Sequence, residues 1–179
     1  VEVLEKHGEH QGLNLTTAVR DGIVGHTGAT IPVTLEGQII RIVDRIAYLC
    51  HDFDDAQRAG MLTAEALPFE VREHFGMTPS SMITAMVEDM VRESLDKPAI
   101  SMSADVEMTM NLFRQFMFKH VYLAPALIPD RKKASHVVKN LFTHFMEYPD
   151  DMEGCETGKE FYSTLDVVDY VAGLTDQYA

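Results

Sequence analysis

An all-α fold is predicted for this chain by two features of its sequence. Apolar residues recur at helical spacing, and the periodic segments are bounded by Pro and Gly rather than by two-residue hairpin turns. A first short helix is expected over residues 17–24. The loop HTGATIPVT, residues 26–34, ends on Thr34, whose hydroxyl suits the N-cap of a long helix reaching Ala59 and closed by Gly60 at C′. A short helix fits residues 69–75. Thr78 followed by Pro79 opens the next one, because an N-cap hydroxyl followed by a proline that needs no N–H is a favoured helix start; it runs to about Asp96, with Pro98 beyond its end. Ser103 is expected to cap a helix reaching about Leu123, Asp130 one reaching about Tyr148, and Thr164 a last one reaching about Ala172. Residues 123–129 and 149–158 read as connectors and not as domain boundaries, so residues 1–179 read as part of a single domain. No repeat or low-complexity tract interrupts this pattern. The 11 methionines are spread over the helices and are expected to fill irregular gaps in the core.

With 46% hydrophobic residues, the 179-residue chain can bury a core, which excludes a disordered class. Its formal charge of −13, from 15 Lys plus Arg against 28 Asp plus Glu, repels polyanions at long range and argues against a dedicated nucleic-acid binder. A small phosphorylated substrate is compatible with that charge, since a few local cations and a metal offset the global field inside a pocket. Cys50 and Cys155 lie far apart and form no C-x-x-C pair, which disfavours both a zinc–thiolate site and a disulfide framework. No run approaches the roughly 18 apolar residues that span a bilayer, and residues 1–10 lack a basic-then-apolar leader pattern. A cytoplasmic protein with no membrane partner is the expectation.

The segment LEGQIIRIVDRIAYLCHDFDDAQRAG, residues 35–60, carries the functional signal. With Asp44 at zero and about 100° per residue, Tyr48, His51, Asp52 and Asp55 fall between about −20° and 80°, while Ile42, Ile46, Leu49, Cys50 and Phe53 fall between about 140° and 240°. One face is core; the other is a stripe of short carboxylates with one Tyr and one His. Solvated stripes usually interleave Lys and Glu at i,i+4. Asp oxygens close to the backbone suit hard cations or substrate hydroxyls, although a merely solvated stripe fits the composition too.

The run RIVDRIAYLCHDFDDAQRAGML closely resembles the dGTPase-like triphosphohydrolases of the HD-domain class, in which Asp-Arg-x-x-Tyr followed by His-Asp-x-Asp-Asp lies on one helix. GLNLTTAVRDGIVGH and TLEGQI before it, and MSADVEMTMNLFRQFMFKHVY and VVDYVAGLTDQYA after it, are similar to further segments of that family in the same order. The resemblance implies the C-terminal part of a helical HD-domain-like bundle. It makes Asp44 the last of four ligands to a divalent cation, Mg²⁺ or Mn²⁺, puts Arg45 near the triphosphate, Tyr48 against the sugar and Asp52 on the 3′-hydroxyl. Arg114 and Tyr122, eight residues apart, match a pair that contacts phosphates and the sugar or base; a surface cation and a core aromatic are the plain alternatives, and Tyr48 shares the second of these. Residues 44, 48 and 52 rise about 6 Å apart along one face, a spacing that can follow a nucleotide from phosphate to sugar.

His51-Asp52 is literally an HD dipeptide, with His26 or His10 before it and Asp105 after it, but its surroundings match the later motif. His51, Asp54 and Asp55 are therefore expected to orient or support neighbours, and His74, His136 and His144 to be surface or packing residues. The first histidine, the His-Asp pair and the acid–base residues of such enzymes fall ahead of Val1, so no catalytic residue is assigned and these 179 residues alone are expected to be inactive. The intact enzyme implied is a dNTP triphosphohydrolase that releases deoxynucleoside and triphosphate, as a homo-oligomer. The rival readings are a non-catalytic nucleotide-binding or oligomerisation module and an HD nucleotidase acting on monophosphates.

Overall fold

The computed structural model describes residues 12–152 and 162–175. Residues 1–11, with His7 and His10, and residues 153–161, with Cys155 and part of the second connector, lie outside the described residues, as do residues 176–179. Among the described residues there is no strand, and the fold is all-α. We number the α-helices α1 (Thr17–Gly25), α2 (Leu35–Arg58), α3 (Phe69–Phe75), α4 (Pro79–Ser94), α5 (Ala104–Met117), α6 (Ile128–Glu147) and α7 (Thr164–Gly173). The chain divides into two compact units, Val1–Ala124 and Pro125–Ala179, with the division inside the first connector.

In the first unit α2 is the central element. Thr34 accepts from the Gly37 N–H at 3.2 Å, and Glu36 in the first turn and Arg58 in the last complement the helix dipole. At its other end Gly60 takes a φ of 68°; its N–H bonds the Gln57 carbonyl and that of Met61 the Ala56 carbonyl, the paired closure of a Schellman motif. The apolar face of α2 packs Ile46, Leu49, Cys50 and Phe53 against Val71 and Phe75 of α3, Met82 and Met86 of α4, and Met110, Phe113 and Met117 of α5. Four methionines are thus in the core and Met61 and Met102 pack against it, the role expected for an adaptable side chain, while Met108 is exposed. Burial pushes the Cys50 thiol up to about 12, so it stays protonated and unreactive in the folded state.

The loop before α2 is held by two devices. Pro32 is buried between α1 and α2, where a Cβ on Gly37 would stand 2.6 Å from the Pro32 Cβ and 3.3 Å from the Gly22 Cα. Arg41 donates to three loop carbonyls, Gly25 at 2.7 Å, Thr30 at 3.0 Å and Gly28 at 2.5 Å. Gly37→Ala is accordingly expected to lower stability by about 1–3 kcal/mol, because a rigid proline ring cannot move aside as a flexible side chain would. Chemical denaturation of the variant measures it; an unchanged midpoint would show that the loop is not anchored by this approach.

The α4–α5 connection is anchored by Asp89, which is 2% exposed. Its Oδ2 accepts from the Ser103 N–H at 2.8 Å, and its Oδ1 is ion-paired with Arg92. Ser103 in turn caps α5 through the Val106 N–H at 3.3 Å. Two further features differ from the sequence expectation. The helix from Ser103 is α-helical only to Met117 and continues as a π turn over Phe118–Tyr122. Helix α4 stops at Ser94, and Asp96 follows with a φ of 58°.

The second unit packs Phe145 of α6 against Val167 of α7 and Met152, with the Phe145 and Tyr170 rings edge to face at 4.9 Å. Helix α6 begins at Ile128 with Pro129 in its first turn, so Asp130 lies inside the helix rather than capping it. Pro129 already supplies the preorganised start, and the acid at position 130 favours the positive end of the dipole. Ser163, not Thr164, caps α7, closing a reciprocal box with Asp166. No helix among the described residues is long and apolar enough to cross a membrane.

Candidate functional site

Two elements of the first unit build the site: the polar face of α2, and α5 with its π turn. The amphipathic period that buries Leu49 and Phe53 leaves Asp44 exposed and Arg45, Tyr48 and Asp52 half-buried on the opposite side. Helix α5 buries Phe113 and Met117, and Phe113 meets Phe53 edge to face at 5.8 Å, which fixes the two helices against each other.

That packing brings Tyr122 to Asp52. The Tyr122 hydroxyl donates to Asp52 Oδ2 at 2.5 Å, joining residues 70 apart in sequence. Burial, the hydrogen bond to Asp52 and the nearby charges of Asp52 and Tyr48 all raise the Tyr122 phenol well above its usual range, with Arg114 acting in the opposite sense. Tyr48, Asp52, Arg114 and Tyr122 therefore share one electrostatic neighbourhood. The Tyr122 bond uses one oxygen of Asp52 and leaves Oδ1 without a hydrogen-bond donor among the described residues, so the carboxylate is oriented and still able to accept from a ligand hydroxyl. A π turn is a common way to re-aim a side chain at a functional position, and here Tyr122 is its last residue.

Asp44 and Arg45 stand apart from this group. Asp44 lies on α2 about 12 Å along the axis from Asp52 and makes no hydrogen bond or ion pair with a described residue. Arg45 borders a pocket of about 350 Å³ between α2, the loop at Ala29 and Ile31, and residues Ile100–Met102 at the approach to α5. It too has no hydrogen-bonding or ion-pair partner among the described residues. Asp54 is paired with Arg58 at 2.6 Å, and His51 and Asp55 are exposed. His74 bonds the Glu70 carbonyl, His136 meets Asn140, and His144 meets Asp151 at 2.9 Å, contacts local to their own segments. Among the described residues no group of three or more His, Cys, Asp or Glu is placed to hold a metal ion. These residues do not by themselves form a metal centre; Asp44 offers one free carboxylate.

Three residues of the site region escaped the sequence reading. Arg41, one turn before Arg45 and on the same pocket, sets the loop; Asp89 sets the start of α5; and Phe118 lies between Arg114 and Tyr122, with the Arg114 guanidinium 4.9 Å above its ring. Asp89 was findable, because it shares the buried helical face of Met82 and Met86.

The Tyr122–Asp52 pair gives a pH prediction. A phenol that holds its proton more tightly when folded contributes stability that is complete below its unfolded value near 10 and is lost as pH rises through the folded value. Tyr122→Phe is expected to cost about 1 kcal/mol at neutral pH and to flatten the alkaline fall in melting temperature above pH about 10. Parallel alkaline slopes for the two proteins would show that Tyr122 is not the linked group.

Residues 100–179 match the family model described as a phosphohydrolase-associated domain, which includes Arg114 and Tyr122. The chain is similar over its whole length to the Deoxyguanosinetriphosphate triphosphohydrolase-like protein of Caldanaerobacter subterraneus subsp. tengcongensis, at 40% identity and covering 53% of that protein. The protein of the same name from Clostridium perfringens (strain 13 / Type A) is 36% identical over 98% of this chain and 54% of its own length. That from Desulfatibacillum aliphaticivorans is 32% identical over 100% of this chain and 56% of its own length. The chain thus spans about half the length of the curated relatives it matches. An all-α fold, the Asp-Arg-x-x-Tyr and His-Asp-x-Asp-Asp pattern on α2, and this likeness along the whole chain lead to one conclusion: the chain is similar to the deoxyguanosinetriphosphate triphosphohydrolase-like proteins, and its residues 100–179 match a phosphohydrolase-associated domain.

Proposed function

We propose that the protein takes part in the hydrolysis of a deoxynucleoside triphosphate, dGTP or a close analogue, to deoxynucleoside and inorganic triphosphate. The observation that carries this reading is the Tyr122–Asp52 hydrogen bond with Tyr48 and Arg114 beside it, which sets a carboxylate acceptor, two aromatic rings and a cation in one place. Asp52 accepts the sugar 3′-hydroxyl through the oxygen that Tyr122 leaves open. Tyr48 and Tyr122 pack against the sugar and base. Arg45 and Arg114, neither ion-paired within the described residues, offset the triphosphate charge in an otherwise acidic protein.

Asp44 supplies one ligand of a divalent cation, Mg²⁺ or Mn²⁺, completed by residues outside those described; such an ion would supply charge stabilisation at the phosphate. The described residues bind and orient the nucleotide, and the group that activates water is not among them. We propose further that the protein works as a homo-oligomer, as its resemblance implies, and in the cytoplasm, the setting expected for cysteines that form no disulfide framework.

Incubating the full-length protein with dGTP and Mg²⁺ or Mn²⁺, and identifying the phosphate product, tests the reading. Inorganic triphosphate is expected. Orthophosphate would point instead to a nucleotidase, binding without turnover to a non-catalytic nucleotide module, and neither binding nor turnover would sink the proposal.

A further inference from the structure

The side chains of α5 and its π turn form a continuous series. The Arg114 guanidinium lies 4.9 Å over the Phe118 ring, the Phe118 ring meets that of Tyr122 edge to face at 5.0 Å and 77°, and Tyr122 donates to Asp52. Arg114 and Phe118 are four residues apart on one helical face, and the π turn begins at Phe118, so the ring stands where α5 changes register. Phe118 is 39% exposed, so its ring is not enclosed by the adjacent core. No ion pair or hydrogen bond to a described residue holds Arg114; the aromatic face is the contact that orders it.

We infer that Phe118 is a positioning residue: its ring holds the Arg114 side chain in the conformation that meets the nucleotide's phosphates, and ties that cation to the Tyr122–Asp52 sugar contact. This inference rests on the proposed nucleotide site. The physical reason is entropic as well as electrostatic. A free arginine has many rotamers, and a ligand must stop that motion when it binds. Stacked on an aromatic face, the planar guanidinium keeps its N–H edge open to oxygen acceptors while its flat side is occupied, so cation–π contact and phosphate binding do not compete. A lysine at position 114 would lack the planar face and gain less from the ring.

The test is equilibrium binding of dGTP with EDTA present, which suppresses metal-dependent turnover, in a set of full-length variants. Arg114→Ala is expected to weaken binding about tenfold or more. Phe118→Leu, which keeps an apolar side chain of similar bulk, is expected to weaken it about two- to fivefold, and Phe118→Trp, with a stronger π face, to restore it. In the Arg114→Ala background Phe118→Leu is expected to have no further effect, since the group it positions is gone. Unchanged melting temperatures keep the comparison free of folding effects, and if Phe118→Leu lowers stability the Trp variant still reads the aromatic requirement. Wild-type affinity in Phe118→Leu, or the same loss with and without Arg114, overturns the inference while leaving the nucleotide site intact. Failure of the wild-type protein to bind dGTP overturns the site reading and this inference together.

Discussion

Asp44→Asn is expected to lower dNTP turnover by the full-length protein at least about a hundredfold while leaving its thermal stability unchanged. The two halves of that statement have separate grounds. Asp44 is exposed and makes no hydrogen bond or ion pair with a described residue, so an isosteric amide removes no structural contact. If the carboxylate is a metal ligand, the amide loses the charge that held the cation, and changes in groups that merely support a metal ligand already cost ten- to a hundredfold. Raised metal concentration should partly restore the rate, which a role in sugar or phosphate recognition does not predict. Near-normal turnover at ordinary metal concentration would remove Asp44 from the metal site.

The contrast with Asp52 sharpens the assignment. Asp52 lies two turns further along the same face, but its Oδ2 is already engaged by Tyr122. If Asp52 accepts the sugar hydroxyl as proposed, Asp52→Asn should keep the rate at saturating nucleotide closer to wild type and raise KM, because the loss then falls on ground-state recognition. Two aspartates eight residues apart on one stripe would then differ by environment: one free, the other oriented.

How far this was readable from sequence depends on whether the determinant is local. Helix α2 was legible at both ends, since Thr34 and Gly60 act on backbone groups within three residues of themselves. The division of α2 into a core face and an acidic stripe followed from period alone, as did the burial of Phe53 and the exposure of Asp44. The Tyr122–Asp52 bond was not legible, because it depends on the mutual placement of α2 and α5 and on a π turn that no residue of FKHVY announces. Arg41 was overlooked for a related reason. Read as one of the polar residues of an amphipathic helix it looks solvated, whereas its three acceptors are backbone carbonyls of a loop whose path the sequence does not fix. Asp130 failed as a cap because Pro129 and the two residues before it already turn the chain, a case where one start signal masks another.

The largest expected loss of stability is at Phe113. Its side chain is fully buried, it meets Phe53 edge to face at 5.8 Å and 81°, and it belongs to the cluster that also holds Leu49, Met82, Met86 and Met117. Phe113→Ala is expected to cost about 3–5 kcal/mol, the sum of lost transfer energy and the cavity left where helices cannot collapse. Phe113→Leu should cost much less, since it refills most of the volume and forfeits mainly the aromatic pair. The functional consequence follows from the same geometry. Phe113 immediately precedes Arg114 and, through Phe53, sets the distance between α5 and the helix that carries Asp52. A cavity at this point should loosen the Tyr122–Asp52 bond before the protein unfolds. In the alanine variant, at a temperature where it remains folded, the Tyr122 phenol should therefore titrate at lower pH than in wild type, read by ultraviolet absorbance. An alanine variant with wild-type stability would show that the α2–α5 contact is not the keystone of the first unit; one that is destabilised yet keeps the wild-type phenol titration would show that the site is held by something other than this packing.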